Sequence, residues 1–397
     1  LALKLPFSTY EPISWIQSAF TATSAVTVTG LDVVDTGSVF TPFGQGVIAL
    51  LIQLGNKVGF IQKTVTKAAF NQTDTSTLVN TAKSVLLFAL IVESISVVIL
   101  TLYWLPEMGL QKSFFHALFY TISAFNNAGF ALSPNSLMQY VEDPVVNLTI
   151  TGLFIIGGLG FTVLMDLYKS KRWAKLSPYS KLMLISTVII NVIALLLIYV
   201  IEYDNPKTLQ PLSEIGKWLA AWFQAVTPRT AGFNTIAIEE LKNASTALTI
   251  MLMFIGGGSL STASGIKVVT FIVLILATYS YLRRDKGVTV LRREIDKESV
   301  YKALALTIIS AGVTWLAIFT LLVVEDAPFL DIAFEAVSAL GTVGLSRGLT
   351  SSLSPLGEFI IMFLMFMGRI GPLTIAYFLA SPRTKKLRYP SAQLSIG

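Results

Sequence analysis

Four short segments share a residue pattern suited to holding a partly dehydrated cation: Thr27-Val28-Thr29-Gly30, Asn126-Asn127-Ala128-Gly129, Arg229-Thr230-Ala231-Gly232 and Gly341-Thr342-Val343-Gly344. A cation leaving water needs replacement oxygens, and backbone carbonyls supply them only where no bulky side chain crowds the path. Gly30, Gly129, Gly232 and Gly344 permit such a backbone. Thr27, Thr29, Thr230 and Thr342 add hydroxyls that either face the ion or brace the loop. A lone T-x-G carries no information. Here the glycines stand 99, 103 and 112 residues apart, and each ends a semi-apolar stretch of about a dozen residues, too short to cross a bilayer. A repeat of this kind predicts four quasi-equivalent units around one axis, with an extended filter strand in each.

Two further features bear on the same path. Gly256-Gly257-Gly258-Ser259-Leu260-Ser261-Thr262-Ala263-Ser264-Gly265 interrupts an apolar run. Three glycines and a serine-rich stretch do not hold a helix, and irregular backbone at membrane depth survives only buried in protein or lining water. The segment reads as a gate beneath the glycine loops, the alternative being a packing kink; Gly157-Gly158-Leu159-Gly160 reads as close helix packing. Arg369 lies among apolar residues on both sides, where an arginine is costly and usually functional. It either faces the pore and repels cations or bonds the carbonyls of the gate. Lys267, two residues past the gate segment, is expected in an inner vestibule. Arg229 is expected to point away from the ion and brace its loop. Glu93, inside an apolar run, requires a partner, and His116, the single histidine, reads as a packed or interfacial residue.

The elements that must position these residues are membrane helices. Hydrophobic residues make up 53% of the chain and charged residues 13%, against about 25% charge in soluble domains. Apolar runs of about 20 residues cover Leu78–Trp104, Val145–Tyr168, Met183–Tyr203, Ile266–Leu282, Ala303–Val324 and Phe359–Ala380. Basic residues cluster at Lys169–Lys181, Arg283–Lys302 and Arg383–Arg388, and acidic ones in the opposite loops: Asp32, Asp35, Glu142, Asp143, Glu202, Asp204, Glu239, Glu240, Glu325 and Asp326. The positive-inside rule places the basic loops and the C-terminus in the cytoplasm, and the acidic loops read as a cation-attracting mouth. Cysteine is absent, which excludes disulfides and thiolate metal sites. Phosphate-loop and dinucleotide motifs and paired catalytic acids are missing, so no enzyme, organic cofactor or nucleic-acid partner is expected. The fold class is all-α membrane protein with four outer helix–pore loop–inner helix repeats, pseudo-fourfold about a central pore: residues 1–70, 71–176, 177–290, and 291–397 with a C-terminal tail. The first repeat reads as incomplete, with residues expected to be missing before Leu1 and near Gly55–Lys57, because Phe43–Gly55 is too short to span. An alternating-access secondary transporter coupling a cation to a solute is the competing reading; inverted repeats would mark it, whereas all four loops here face one side.

Val26–Leu31, Ala124–Phe130, Thr227–Asn234 and Leu340–Ser346 resemble the four filters of the Trk/Ktr/HKT superfamily of potassium transporters, and most of the chain shares the likeness, closest to its bacterial Ktr membrane subunits. The resemblance implies potassium, and possibly sodium, as the ion held by filter carbonyls, a homodimer in the cell membrane, and a cytoplasmic nucleotide-binding (ATP/ADP) ring subunit as regulator. It implies that Gly256–Gly265 is the intramembrane gate, that Arg369 corresponds to an arginine of the fourth inner helix, and that the tail Leu387–Gly397 helps hold the dimer.

Overall fold

Long apolar runs, cap residues and misplaced glycines together dictate a bundle of long and half-length helices. The computed structural model describes residues 1–55, 75–259, 261–285 and 287–371. The expected gap after Gly55, the tail Leu387–Gly397 and the basic residues Lys286, Arg383, Lys385, Lys386 and Arg388 lie outside the described residues. In chain order the helices are α1 (Trp15–Thr27), α2 (Thr36–Val39), α3 (Pro42–Gly55), α4 (Thr75–Phe125), α5 (Pro144–Leu159), α6 (Phe161–Ser170), α7 (Pro178–Glu202), α8 (Glu214–Val226), α9 (Asn243–Phe254), α10 (Val268–Leu282), α11 (Lys297–Val324), α12 (Phe329–Gly341) and α13 (Pro355–Ile370). The fold is all-α apart from one hairpin that the helical expectation did not include, β1 (Val288–Val290) on β2 (Arg293–Ile295), between α10 and α11.

Helix starts follow local chemistry. Ser14 and Gln17 form a capping box on α1. Asp143-Pro144, Ser177-Pro178 and Ser354-Pro355 begin α5, α7 and α13 with a side-chain cap and a proline in the first turn, where its missing N–H costs nothing. α4 breaks at Gly109 (φ 72°, ψ 163°), which separates a long first part, containing the apolar run Leu78–Trp104, from a short second part ending at Phe125.

Among the described residues three helical stretches are long and apolar enough to cross a membrane, Leu86–Phe125, Pro178–Glu202 and Lys297–Val324, and the pair α5–α6 makes a fourth if taken as one span. Their outward faces carry Ile91, Ile95 and Leu102 on α4, Val188, Ile193 and Val200 on α7, and Trp315, Phe319 and Val323 on α11, all exposed. Apolar faces this extensive are unfavourable in water and suit lipid, so the chain is a multi-pass membrane protein. Inside, Trp104, Tyr120, Phe125, Phe154, Phe223 and Phe233 form an aromatic core between α4, α5 and α8.

Two expected spans are corrected. Val145–Tyr168 is not one helix: α5 and α6 meet at 94° across Gly160, whose φ of 96° is outside helical space. Ile266–Leu282 yields only the 15 residues of α10, because the chain before Val268 is not helical. Several carboxylates of the acidic loops are also held by hydrogen bonds. Asp35 caps α2 through Ser38 N (2.7 Å), and Asp143 caps α5 through Val145 N (2.8 Å). Glu142 accepts from Ser213 N (2.6 Å) and Glu325 from Ser354 Oγ (2.6 Å), while Glu240 pairs with Lys207 (2.6 Å). These carboxylates hold helix starts and loops, because unpaired N–H groups at helix N-termini attract anions.

Glu202 is fully buried and accepts from Asn205 Nδ2 (2.5 Å), Thr208 Oγ1 (2.7 Å) and Lys242 N (2.9 Å), joining the end of α7 to the start of α9. Glu202→Ala leaves three donors unsatisfied and is expected to destabilise the protein by about 2–4 kcal/mol. Glu202→Gln, which keeps one acceptor, should cost less. The check is the thermal unfolding midpoint of both variants in detergent; equal midpoints for wild type and Glu202→Ala would contradict this role.

Candidate functional site

Each glycine loop grows from the C-terminus of a half-length helix: α1, the inner part of α4, α8 and α12. α1, α8 and α12 are 13 residues long, about 20 Å, so they stop partway through a ~30 Å hydrocarbon layer. The loops share one backbone signature. The glycine has positive φ (Gly30 92°, Gly129 72°, Gly232 78°, Gly344 93°), and so does the residue two before it (Val28 58°, Asn127 58°, Thr230 70°, Thr342 49°). This corrects the expected extended filter strand. A left-handed residue turns the chain out of the helix before the glycine, and non-glycine residues pay a steric cost to do so. Such strain is sustained only where the surroundings over-determine it.

The surroundings are visible in hydrogen bonds. Thr29, Ala128 and Val343 N–H donate to the carbonyls of Ser24, Ser123 and Ser338, each at 2.8 Å. In two loops the same serine also ties down the far end of the turn: Ser24 Oγ accepts from Gly30 N (3.0 Å), and Ser123 Oγ donates to Phe130 O (2.8 Å). The third loop contains Pro228 and bonds differently, with Ala231 N on Thr227 O (3.0 Å) and Thr227 Oγ1 on Phe233 O (2.5 Å). The sequence reading missed Ser24, Ser123, Ser338 and Thr227. A signal existed: a serine stands six residues ahead of Gly30, Gly129 and Gly344.

The loops meet in a closed cycle. A Cβ on Gly30 would lie 2.3 Å from Ala128 O, one on Gly129 2.8 Å from Gly232 Cα, one on Gly232 2.5 Å from Val343 O, and one on Gly344 2.2 Å from Thr29 O. First touches second, second third, third fourth, and fourth first. The threonines brace: Thr27 Oγ1 bonds Thr23 O (2.7 Å) and Thr29 Oγ1 (2.8 Å), and Thr230 Oγ1 accepts from Asn127 Nδ2 (3.4 Å). Asn126 Nδ2 donates to Gln53 Oε1 of α3 (2.6 Å), whose Nε2 reaches Glu93 Oε2 on α4 (3.4 Å), which names the partner Glu93 required. His116 is half-buried beside Tyr120, their rings 6.3 Å apart.

Gly256–Gly265 is a lasso between α9 and α10. Its ends are stitched where Ile255 pairs with Ile266, with Gly256 N on Ile266 O (2.8 Å) and Val268 N on Gly257 O (3.2 Å). Ser261 Oγ closes onto Gly258 O (2.7 Å), and Lys267 Nζ folds back onto Ala263 O (2.9 Å) and Ser264 O (3.2 Å). Lys267 therefore braces the lasso. Three glycines in a row serve close approach: Cβ atoms at Gly256 and Gly258 would lie 1.9 Å from Ser264 O and 2.1 Å from Leu159 O. The segment Gly157-Gly158-Leu159-Gly160, read from sequence as helix packing, is the seat of this lasso. Gly258 N donates to Gly158 O (2.8 Å) and Thr262 N to Gly157 O (3.3 Å). Thr262 Oγ1 donates to Asn127 Oδ1 (2.6 Å), tying the lasso to the second glycine loop. Tyr179 OH, also missed in the sequence, accepts from Ser259 N (3.0 Å).

Arg369, near the end of α13, donates from one terminal nitrogen to Thr262 O (2.8 Å) and from the other to Gly55 O at the end of α3 (3.2 Å). Of the two sequence readings for Arg369, these bonds match carbonyl binding. Arg229 is buried and lines a cavity behind the third loop. A further network lies beside the fourth loop, where buried Glu335 accepts from Ser346 Oγ, Thr350 Oγ1 (2.7 Å) and Arg347 N (3.2 Å), and Arg347 pairs with Asp331 (2.5 Å).

Comparison with known proteins bears on this site as a whole. The profile of the TrkH family, described as a cation transport protein, matches residues 3–388. The chain is 46% identical to Ktr system potassium uptake protein B of Bacillus subtilis over all of its own length and 92% of the relative's. It is 32% identical to the potassium/sodium uptake protein NtpJ of Enterococcus hirae over 100% of this chain and 93% of that protein. Among solved structures, the potassium transporter TrkH from Vibrio parahaemolyticus superposes with a TM-score of 0.79 at 20% identity, covering 93% of this chain and 79% of that one.

Asp32, two residues beyond Gly30, is the acidic loop residue whose ionisation is most altered. Its side chain is exposed. Desolvation by the surrounding protein, with Asp35 and Glu335 nearby, pushes its carboxyl up to about 7. Such a group is neutral at pH 6 and charged at pH 8, and the charged form attracts cations to the first loop. The apparent affinity for the transported cation should therefore rise between pH 6 and pH 8, and Asp32→Asn should flatten the rise. Flux into liposomes at a series of cation concentrations checks this; an unaltered pH profile in Asp32→Asn would assign the effect elsewhere.

Proposed function

The chain belongs to the TrkH family of cation transport proteins, and on that premise we propose that it is the membrane subunit of a potassium uptake system, with the four glycine loops as its selectivity filter. The closed cycle of Gly30, Gly129, Gly232 and Gly344 carries the reading. Four loops with one backbone signature, each touching the next, argue for four repeats about an axis, over residues 1–70, 71–176, 177–290 and 291–397. The axis is then lined by carbonyls of residues 27–30, 126–129, 229–232 and 341–344, and potassium crosses by exchanging water for these oxygens. The names of the curated relatives favour potassium, and that of the Enterococcus relative extends the range to sodium. No catalytic step is involved.

In this reading the lasso Gly256–Gly265 is the gate, and the geometry described is its closed state. Five hydrogen bonds hold it to its surroundings: Gly258 to Gly158, Ser259 to Tyr179, Thr262 to Gly157, Thr262 to Asn127 and Arg369 to Thr262. At about 1 kcal/mol net for a neutral bond and about 1.5–3 for one from a charged group, they sum to roughly 6 kcal/mol, enough to leave the open state a minor population. Opening must come from a partner that favours the released loop. A cytoplasmic nucleotide-binding (ATP/ADP) ring subunit fits that requirement, and the basic loops and C-terminus would face it on the inner side of the cell membrane. A homodimer, held in part by Leu387–Gly397, completes the proposed assembly.

Selectivity and gating are tested separately by flux in proteoliposomes. Gly129→Ser and Gly232→Ser place a Cβ against the neighbouring loop and should lower the potassium-over-sodium permeability ratio by about tenfold, some 1.4 kcal/mol. A parental ratio in both variants would mean that these loops are not the filter.

Deleting Gly257–Ser264 should raise potassium flux and weaken its dependence on the cytoplasmic partner. Arg369→Ala removes one charged bond and should act in the same direction, raising the open-to-closed ratio by about 10-fold to 100-fold. Unchanged flux in a correctly folded deletion variant would reduce the lasso to a packing kink.

A further inference from the structure

We propose that the cavity behind the third glycine loop binds a small monovalent anion of chloride size, held by Arg229 and Thr187. Arg229 is 8% exposed, and among the described residues no hydrogen bond or ion pair reaches its side chain. Its Nε is a fully covered donor without an acceptor. The contrast with Arg369 is direct, since that guanidinium has two carbonyl partners. An unpaired buried cation is among the most unfavourable arrangements a protein can hold, and buried charges are found paired.

The cavity beside Arg229 supplies the missing half. It has room for a water-sized occupant and is bounded by α5, α7, α8 and the gate segment. One wall carries Thr187 of α7, 5% exposed, whose hydroxyl is also buried without a partner. Two unsatisfied groups on different helices, both able to donate, thus face one small space. The other side chains of the lining, including Phe154, Leu159, Met183 and Val226, are apolar and carry no negative charge to balance Arg229. An acceptor-only ion fits this set; a carboxylate or phosphate exceeds the space. Water would satisfy the donors but leave the positive charge uncompensated.

The site's position gives it a consequence. Arg229 lies three residues before Gly232, so its charge opposes cation entry to the third loop. A bound anion cancels that charge. Gly257 of the lasso forms part of the same wall, so moving the lasso opens the cavity and links anion occupancy to the gate.

The test uses the intact purified protein and readouts independent of potassium flux. Crystals grown with bromide replacing chloride should show an anomalous peak between Arg229 and Thr187. Replacing gluconate with chloride at constant potassium and ionic strength should raise the thermal unfolding midpoint of the wild type. Thr187→Val should need about fivefold more chloride for the same rise, the equivalent of one lost hydrogen bond, and Arg229→Gln should show none. Should Arg229→Gln fail to fold, Thr187→Val and the bromide map decide the matter. A cavity empty of bromide, or one holding water alone, overturns the proposal, as does the same chloride response in wild type and Thr187→Val.

Discussion

Backbone meets backbone at the centre of this protein with no space for a Cβ, and much else follows from that contact. Main-chain atoms of four loops approach within van der Waals range only because the contact residues are glycines. To bring four loops to one place the chain needs four supports that end there, which is why the supporting helices are half-length. Their C-terminal ends point at the loops, and a helix C-terminus carries roughly half a negative charge. The arrangement thus aims four partial negative charges and a set of carbonyls at one spot, a poor setting for an anion and a good one for a cation losing its water. The same constraint explains why αL residues are tolerated at Val28, Asn127, Thr230 and Thr342: neighbouring loops leave the backbone no other route.

Charge is handled differently at each depth. On the side where the glycine loops open, carboxylates such as Asp143, Glu142 and Glu325 hold helix starts. Glu335 and Glu202 are instead buried and enclosed by hydroxyl and amide donors, so their cost of burial is offset by hydrogen bonds. At the lasso the charged groups are cations, Arg369 and Lys267, and both bond backbone carbonyls that the absence of a helix leaves unpaired. Irregular backbone inside a membrane needs donors from outside itself, and these two side chains supply them.

Much of this was legible in the sequence because it rests on local chemistry. Glycine spacing located all four loops, and the serine-and-glycine run located the lasso to the residue. What escaped was long-range. In the apolar stretch Val145–Tyr168 the cluster Gly157, Gly158 and Gly160 reads as close helix packing, and nothing local separates that from the 94° bend at Gly160, which seats a lasso about 100 residues later in the chain. The bond between Asn127 and Thr262 joins residues 135 apart and has no local signature. Net charge along the sequence likewise does not reveal that Glu202 turns inward while Asp32 does not. The left-handed residue two before each glycine has no signature in residue type, since valine, asparagine and threonine occupy that place.

Asn127 makes the loops and the lasso mechanically inseparable. Its backbone is one of the strained αL positions of the second loop, its Oδ1 accepts from Thr262 of the lasso, and its Nδ2 donates to Thr230 of the third loop. Gly157, packed directly behind, would place a Cβ 2.1 Å from Phe125 O and 3.0 Å from both Asn127 Oδ1 and Thr262 Oγ1, so the cluster has no slack. Displacing the lasso removes the acceptor's partner, and a buried amide oxygen without a donor costs about 1–3 kcal/mol. Either water replaces Thr262 there, which wets the inner end of the second loop, or Asn127 turns and releases Thr230. In both cases the geometry of the second and third loops changes when the lasso moves. On the proposed reading of the lasso as a gate, its movement would also alter the oxygens of the second and third loops, which would tie conduction and selectivity to one hydrogen-bonded side chain.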